Sequence, residues 1–297
     1  MPTRDAVHAR PTVRGTRTPA ARTARRITAV VAVIAVTAGL IAAGVHLLLN
    51  RLDLPQAQMA RCDLVGSPYS VSTEQAANAA TITAAAVRRK LPTRAAVIAL
   101  ATALQESKLV NLEYGDRDSV GLFQQRPSQG WGTANQILDP RYAAGKFYDH
   151  LLKVPDWQRR PLTDAAQAVQ RSGHPDAYAQ WEDQATVLAR AFAGSVHAGV
   201  SCAFPEPTVV AQPAKVVQLL ALDLPATRLG TTTRYADLRP TAPAWASVSW
   251  LVAHADRLGV DAVSYAGQRW SRAQGWRNDT TVAPDRIRVE AAQPSSR

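Results

Sequence analysis

The sequence predicts an α+β protein held by a single N-terminal transmembrane helix. Three observations lead to this prediction. Residues 27–49 form one unbroken apolar run, the stretch between the two cysteines has mainly helical apolar periodicity, and the residues after a proline-rich segment alternate between strand-like and helix-like patterns. The predicted parts are a basic tail, the anchor, a mainly helical domain, a linker and a small α/β domain, at residues 1–26, 27–49, 62–202, 203–213 and 214–291.

The predicted anchor reads ITAVVAVIAVTAGLIAAGVHLLL, which is 23 residues without a formal charge. A helix rises about 1.5 Å per residue, so this run crosses a ~30 Å hydrocarbon core with some tilt. The arginine-rich tail before it places the N-terminus in the cytoplasm and everything after Leu49 outside the plasma membrane. A cleaved signal peptide is the alternative, because Ala42 and Gly44 have the spacing that signal peptidase accepts, but the length of the run favours an uncleaved anchor.

The charge distribution argues against a nucleic-acid partner. Seven arginines and one acid give residues 1–26 a formal charge of +6 out of the +11 of the whole chain. The remaining positive charge is spread thinly, and no basic run is interleaved with aromatic residues. Histidines are scattered without ligand spacing, so neither a metal nor another cofactor is expected. A single spanning helix also gives a transporter no substrate path.

The two cysteines, Cys62 and Cys202, are predicted to lie in an oxidising compartment and to form a disulfide that joins the ends of one domain. Two unpaired buried thiols are the alternative. The disulfide would link the first and last parts of the predicted helical domain.

Helical patterns fill the region between the cysteines. Ser72 and Gln75 form a capping box that begins a first helix. Thr93 is expected to cap a second helix, which has one apolar stripe and ends with Glu106 and Ser107. Three more helices are predicted at about 139–153, 163–172 and 176–193.

Two regions have a different pattern. Residues 111–132 carry glycines and short polar–apolar alternation, which predicts a small hairpin or an irregular lobe. In the C-terminal region His254 is expected on the solvent side of a helix. The elements predicted there are a strand at 216–222, a helix at 246–258, and strands at 259–265 and 286–290.

Three short motifs in this region resemble those of the soluble lytic transglycosylases and goose-type lysozymes. In those families a Glu-Ser pair ends a core helix, and a Gly-Leu-Met-Gln element lines the substrate groove. Here ATALQESKL ends with the pair Glu106-Ser107, and Gly121-Leu122-Phe123-Gln124 follows 15 residues after the glutamate, with phenylalanine in place of methionine. Ala177-Tyr178-Ala179 is similar to the families' Ala-Tyr-Asn motif but lacks the asparagine. The run YGDRDSVGLFQQRPSQGWG is typical of an actinobacterial branch.

The resemblance implies a lysozyme-like fold whose short β-lobe forms one wall of a cleft. It implies that peptidoglycan glycan strands are the substrate, that Glu106 is the acid and base, and that Tyr178 orients it. The C-terminal unit, especially its stretch WLVAHADRLGVDAVSYAGQRWSRAQGW, is similar to a small accessory domain of actinobacterial cell-wall hydrolases. The residues expected to line or support the substrate groove are Ser107, Gly121, Leu122, Phe123, Gln124, Gln125 and Trp131.

The chemistry of glycosidic bonds supports the glutamate independently. Cleavage needs a carboxylic acid that keeps its proton near neutral pH, and an apolar wall around a carboxyl favours this. Hydrolysis normally needs a second carboxylate, and Asp116 and Asp118 follow Glu106 by ten and twelve residues. Aspartates are also common in hairpin turns, so both can be structural. Lytic transglycosylases omit the second carboxylate and let the muramyl 6-hydroxyl attack, and the sequence leaves both reactions open.

The leading hypothesis is an extracytoplasmic, membrane-anchored glycosidase that cleaves between N-acetylmuramic acid (MurNAc) and N-acetylglucosamine (GlcNAc). The alternative is a catalytically inactive protein with a lysozyme-like fold that binds or organises the cell wall. The missing asparagine after Tyr178 motivates that alternative.

Overall fold

Helices and antiparallel strands are both extensive in the computed structural model, which describes residues 60–205, 207, 209–241 and 243–292. The α+β class is therefore confirmed. The predicted anchor at 27–49 and the basic tail before it lie outside the described residues. Within the described ranges no helix is both long and apolar enough to cross a membrane.

A small antiparallel sheet joins the two ends of the helical region. It consists of β1 (Arg61–Leu64), β2 (Ser70–Ser72) and β3 (Val200–Ala203), in the order β2-β1-β3. Cys62 and Cys202 are directly opposite each other on β1 and β3 and form the predicted disulfide. The two cysteines are 140 positions apart, and closing so long a loop contributes about 4–5 kcal/mol in the chain-entropy account.

Six α-helices of the described chain lie between β2 and β3. Ser72 and Gln75 make the expected capping box, whereas Pro92 occupies the cap position that was predicted for Thr93. The last predicted helix is wrong in its first half, because residues 175–181 form a 3-10 helix. The six helices are α1 (Thr73–Arg88), α2 (Thr93–Ser107), α3 (Ala134–Ile137), α4 (Pro140–Leu151), α5 (Leu162–Gln170) and α6 (Glu182–Phe192).

Helix α2 lies at the centre of this group and packs against α1, α4, α5 and α6. It is buried from Ala95 to Leu104, and half of those residues are alanines interspersed with larger side chains. Small side chains allow neighbouring helices to approach closely on every side, so α2 is surrounded until its last turn. In that last turn Gln105 and Glu106 are half-buried, so the Glu106 side chain reaches the surface there.

The predicted lobe at residues 111–132 is irregular and contains no strand. Its backbone has a single β-bridge, between Val120 and Gln125, and one 3-10 turn at 127–129. Gly121 and Gln124 both have positive φ in the turn that the Val120–Gln125 bridge closes, and no strand pairing extends beyond that bridge. The wall that the lobe forms is therefore held by side chains and not by a sheet.

The C-terminal region forms a six-stranded antiparallel sheet in the order β4-β5-β9-β6-β7-β8. The segment 216–222, predicted as a strand, is helical, because Pro213 begins a helix whose Val216, Val217 and Leu220 are buried. The predicted helix and the strands with Tyr265 and Val289 are present. The elements are α7 (Pro213–Asp223), β4 (Ala226–Thr231), β5 (Tyr235–Pro240), α8 (Ala244–Ala253), α9 (Ala255–Leu258), β6 (Val260–Tyr265), β7 (Gln268–Ser271), β8 (Gly275–Asn278) and β9 (Ile287–Ala291).

A buried polar group joins this region to the helices. Asp223 at the end of α7 accepts hydrogen bonds from both Nε and Nη2 of Arg141, at 2.6 and 3.1 Å, and from the Trp250 indole at 2.7 Å. Burial raises the pKa of Asp223, while Arg141 and Trp250 favour its charged form. Helix α8, which carries Trp250, also packs directly on α1.

The expectation that His254 faces solvent is wrong. Its ring is 7% exposed and stacks on Trp250 with centroids 3.9 Å apart. Nδ1 lies 2.9 Å from the Trp250 carbonyl, and Nε2 lies 3.5 Å from the Thr81 hydroxyl of α1. Burial lowers the pKa of His254 to about 3, so the imidazole is neutral in the folded protein.

We predict that His254 makes the protein less stable in mild acid. The unfolded chain binds the proton below about pH 6.5, whereas the folded chain does not until about pH 3. His254 therefore does not lower the free energy of unfolding above about pH 6.5. Below that pH the free energy of unfolding falls as the pH drops towards 3, by about 2–3 kcal/mol at pH 4.5. Urea unfolding of the wild type and of His254→Asn at pH 7.5 and 4.5 measures this loss.

The variant should lose most of the extra acid sensitivity. His174→Asn is the matched control, because His174 is exposed and its replacement should leave the pH dependence unchanged. An equal fall in stability for the wild type and His254→Asn would contradict the prediction.

Candidate active site

The end of α2 holds Glu106 in a fixed position. Lys108 and Leu109 both adopt left-handed conformations, with φ of 56° and 61°. Their N–H groups donate to the Leu104 and Ala103 carbonyls, which is a Schellman-type helix end built without glycine. A branched side chain in this conformation is strained, so the neighbouring structure must hold it in place.

Helix α1 holds this turn through two side-chain amides. The Gln75 amide donates to the Lys108 carbonyl at 2.7 Å, and the buried Asn78 amide donates to the Leu109 carbonyl at 2.8 Å. Leu109 is fully buried. The chain therefore leaves α2 in one direction, and the Glu106 side chain emerges at a defined point.

Tyr178 is the partner of that glutamate, as the sequence motif led us to expect. Its hydroxyl donates to Oε1 of Glu106 at 2.7 Å from the 3-10 helix at 175–181. Burial, and then the negative charge of Glu106, raise the pKa of Tyr178 well above its usual range. The phenol is consequently a neutral hydrogen-bond donor over the physiological pH range.

Glu106 is half-buried and lines an open cavity of about 650 Å³. We call this the glutamate cavity. Its volume is in the range of sites that bind small molecules or short polymer segments. Its lining residues are Glu106, Asp116, Arg117, Ser119, Gln124, Gln125, Arg126, Gln129, Trp131, Gln170, Arg171, Ser172, Gly173 and His174.

The two candidate aspartates have different environments. Asp116 lines the glutamate cavity, its side chain is 91% exposed, and Arg117 is 3.9 Å away. Asp118 accepts hydrogen bonds from Nε of Arg126 at 2.8 Å and from the backbone and hydroxyl of Ser128 at 2.7 and 3.0 Å. These bonds hold the pKa of Asp118 far below its usual range. Asp118 therefore supports the turn at 127–129, as the structural alternative predicted.

The Gly121–Gln124 motif supports the cavity more than it lines it. Leu122 and Phe123 are fully buried, and Phe123 stacks on Phe147 at 4.8 Å. A Cβ on Gly121 would lie 2.9 Å from the Ile137 carbonyl, so this position requires glycine for space as well as for its positive φ. Of the four residues only Gln124 lines the glutamate cavity.

Two side chains hold this motif against the helices. The Ser107 hydroxyl donates to the Leu122 carbonyl at 2.8 Å, and the Gln170 amide donates to the Phe123 carbonyl at 2.7 Å. Ser107 is 6% exposed and does not line the cavity. It positions the turn beside Glu106, as expected for a supporting residue. No base partners it among the hydrogen bonds of the described chain.

Gln125 has two roles. It lines the glutamate cavity, and its Nε2 donates to the Ala143 carbonyl of α4 at 3.2 Å. Its buried Oε1 accepts no hydrogen bond within the described part of the chain, and neither does Oε1 of Gln170 in the same lining. A buried acceptor without a partner costs free energy, so a ligand hydroxyl or N–H that reached either oxygen would be stabilised.

A second cavity of about 610 Å³ adjoins the first. Gln129, Trp131, Gln170 and Arg171 line both, so the two form one elongated groove. Trp131 packs on His150 with ring centroids 4.1 Å apart and lies where the cavities meet. The indole thus contributes both to the core and to the groove floor.

Several lining residues did not stand out in the sequence. Arg171, Ser172, Gly173 and His174 follow α5 and form a further part of the lining, in addition to the residues of the irregular lobe. In the sequence, Gly173-His174-Pro175 indicated that a helix ends and a loop begins here. It did not indicate that this loop lies near Glu106. Gln105 was also missed. Its Oε1 accepts hydrogen bonds from the Trp181 indole at 2.8 Å and from Gln180 at 3.2 Å, which attaches the Tyr178 segment to α2.

No group of three or more possible metal ligands occurs within the described residues. The sequence matches no protein-family model and no curated protein. The groove presents a defined set of chemical groups. They are one half-buried carboxyl with a phenol donor, one solvated carboxylate, several amides and a basic far end.

Proposed function

We propose that this protein is a lysozyme-like peptidoglycan glycosidase that cleaves the MurNAc–GlcNAc bond on the wall side of the membrane. One observation carries the proposal. A half-buried glutamate at a helix end receives a 2.7 Å hydrogen bond from a buried tyrosine and lies in a groove formed by two adjoining cavities. The sequence motifs around Glu106, Gly121 and Tyr178 support the same family.

In this proposal Glu106 acts first as an acid. Its proton goes to the glycosidic oxygen as the bond to the anomeric carbon breaks, and positive charge develops on the sugar ring. Tyr178 holds one carboxyl oxygen, which leaves the other free to reach the substrate. Glu106 then removes a proton from the hydroxyl that attacks the anomeric carbon.

The groove is suited to a polymer of amide-bearing sugars. Gln124, Gln125 and Gln129 present amide groups along the glutamate cavity, and Trp131 presents an aromatic face at its end. Amides hydrogen-bond sugar hydroxyls and N-acetyl groups, and indole faces pack against pyranose rings. The groove continues past Trp131 into the second cavity, as a chain substrate requires.

The attacking group in this proposal is the muramyl 6-hydroxyl, so the reaction is that of a lytic transglycosylase and the product is an anhydro sugar. The carboxylate of Asp118 accepts hydrogen bonds from Arg126 and Ser128 and so stabilises its own turn. Asp116 is almost fully solvated, and no hydrogen bond within the described residues orients it. A general base has to be held near its water, and nothing holds Asp116 in that way.

Glu106→Gln should abolish cleavage of purified peptidoglycan, by about a thousandfold or more, because the proton donor is lost. Tyr178→Phe should lower kcat by about 10- to 100-fold, since it removes one hydrogen bond to the carboxyl on which negative charge develops as the proton leaves. Release of soluble muropeptides from cell walls by the full-length chain measures both.

Tyr69→Phe is the matched control for Tyr178→Phe, because Tyr69 is half-buried but lines neither cavity. It should retain wild-type activity. No release of muropeptides by the wild type at any pH would contradict the proposal and would favour the non-catalytic wall-binding protein, which wall pull-down would then detect.

Asp116→Asn should keep kcat within about threefold of the wild type, because a solvated and unoriented carboxylate contributes little to a transition state. Mass spectrometry of the released fragments should find 1,6-anhydro-muramyl ends. Asp164→Asn is a suitable control, since Asp164 is exposed and outside the groove. Reducing ends, together with a loss of a hundredfold or more in Asp116→Asn, would instead indicate an inverting hydrolase.

A further inference from the structure

The second cavity has a different charge from the first. Its charged lining residues are Lys153, Arg160 and Arg171, and no carboxylate lines it among the described residues. We call it the basic cavity. The glutamate cavity, by contrast, contains Glu106 and Asp116 beside Arg117, Arg126 and Arg171. The groove, as far as the structure describes it, therefore carries charges of both signs where the bond is cleaved and only positive charges at its far end.

Two of these cations have no electrostatic partner within the part of the chain that the structure describes. Within the described chain neither Lys153 nor Arg171 has a carboxylate within 4.0 Å, and neither side chain makes a hydrogen bond. Arg160 donates from Nε to the Pro155 carbonyl at 2.8 Å, and it too has no ion pair there. All three residues are exposed at the rim. Their charges are available to a ligand.

The acids nearest in sequence do not neutralise this end. Asp149 precedes Lys153 but pairs with Arg89 at 2.8 Å. Asp156 and Asp164 are exposed, and neither lines the basic cavity. His150 lines it, but its Nδ1 is 2.9 Å from the Lys146 carbonyl and its ring packs on Trp131. The local field in the basic cavity is positive.

We propose that the basic cavity binds the carboxylates of the peptides that peptidoglycan strands carry. This inference rests on the proposed function, because it places a peptide-bearing muramyl residue in the far half of the same groove. A strand lying across Trp131 would carry its peptide into the basic cavity, and lysine and arginine head groups would pair with the peptide carboxylates. The protein would then prefer peptide-bearing strands to bare glycan.

The test compares three soluble glycan substrates of equal chain length. One carries its peptides, one has had them removed by an amidase, and one carries peptides whose carboxylates have been converted to amides. All are freed of phosphate-linked polymers, so a phosphate group cannot supply the negative charge. The full-length wild type should have a kcat/KM about tenfold higher on the first substrate than on the other two at low salt, and the preference should shrink as salt is added.

The variant Lys153→Gln with Arg171→Gln should lose this preference, so that its own kcat/KM is the same on all three substrates. Arg160 is left in place because it also holds the Pro155 carbonyl. The matched control is Arg228→Gln with Arg277→Gln, which removes two exposed arginines of the C-terminal sheet and should keep the preference.

Each other outcome overturns the inference, and the outcomes are distinguishable. Equal wild-type rates on all three substrates would refute the basic cavity as a peptide site while leaving the glycosidase intact. A preference that persists in the Lys153 and Arg171 variant would place peptide recognition elsewhere. Equal rates on the two peptide-bearing substrates, both higher than on bare glycan, would mean that the protein recognises the shape of the peptide and not its carboxylates. No cleavage of any substrate would end the proposed function and this inference together.

Discussion

The groove depends on how the chain leaves helix α2. Two consecutive left-handed residues, Lys108 and Leu109, turn the backbone away, and amides of α1 bind both of their carbonyls. Such backbone is costly by itself and persists only where the surroundings hold it. Here the core holds it, because Leu109 is fully buried and α1 is packed along α2. Glu106 lies just before the turn, so its position is fixed as well.

The irregular lobe and the 3-10 helix at 175–181 are both attached to that helix end by side chains. Ser107 binds the Leu122 carbonyl, Gln105 binds the Trp181 indole, and Tyr178 binds Glu106 itself. Hydrogen bonds of this kind are individually modest, but they are short and partly buried, so they restrict the walls relative to the carboxyl. A lobe without strands can therefore still form a defined wall.

The C-terminal sheet contributes to the rigidity of the same framework. Helix α8 packs on α1, and α1 in turn holds the end of α2. Arg141 and Asp223 join α4 to α7, and His254 is buried between Trp250 and Thr81. Polar groups buried in this way are favourable only when their partners are correctly placed, which ties the two regions to one relative arrangement.

The sequence by itself determined the α+β class, the disulfide, the capping box of α1 and the association of Glu106 with Tyr178, because these depend on local periodicity or on short motifs. It predicted a strand at residues 216–222, where the apolar run fits either a strand or a buried helix. It also predicted that His254 is exposed to solvent, whereas its ring is buried. Only the tertiary structure decided that Leu122 and Phe123 belong to the core, that Asp118 is bound within a turn, and that Arg171 lies near Lys153. These outcomes depend on contacts between segments far apart in the chain, which neither periodicity nor spacing encodes.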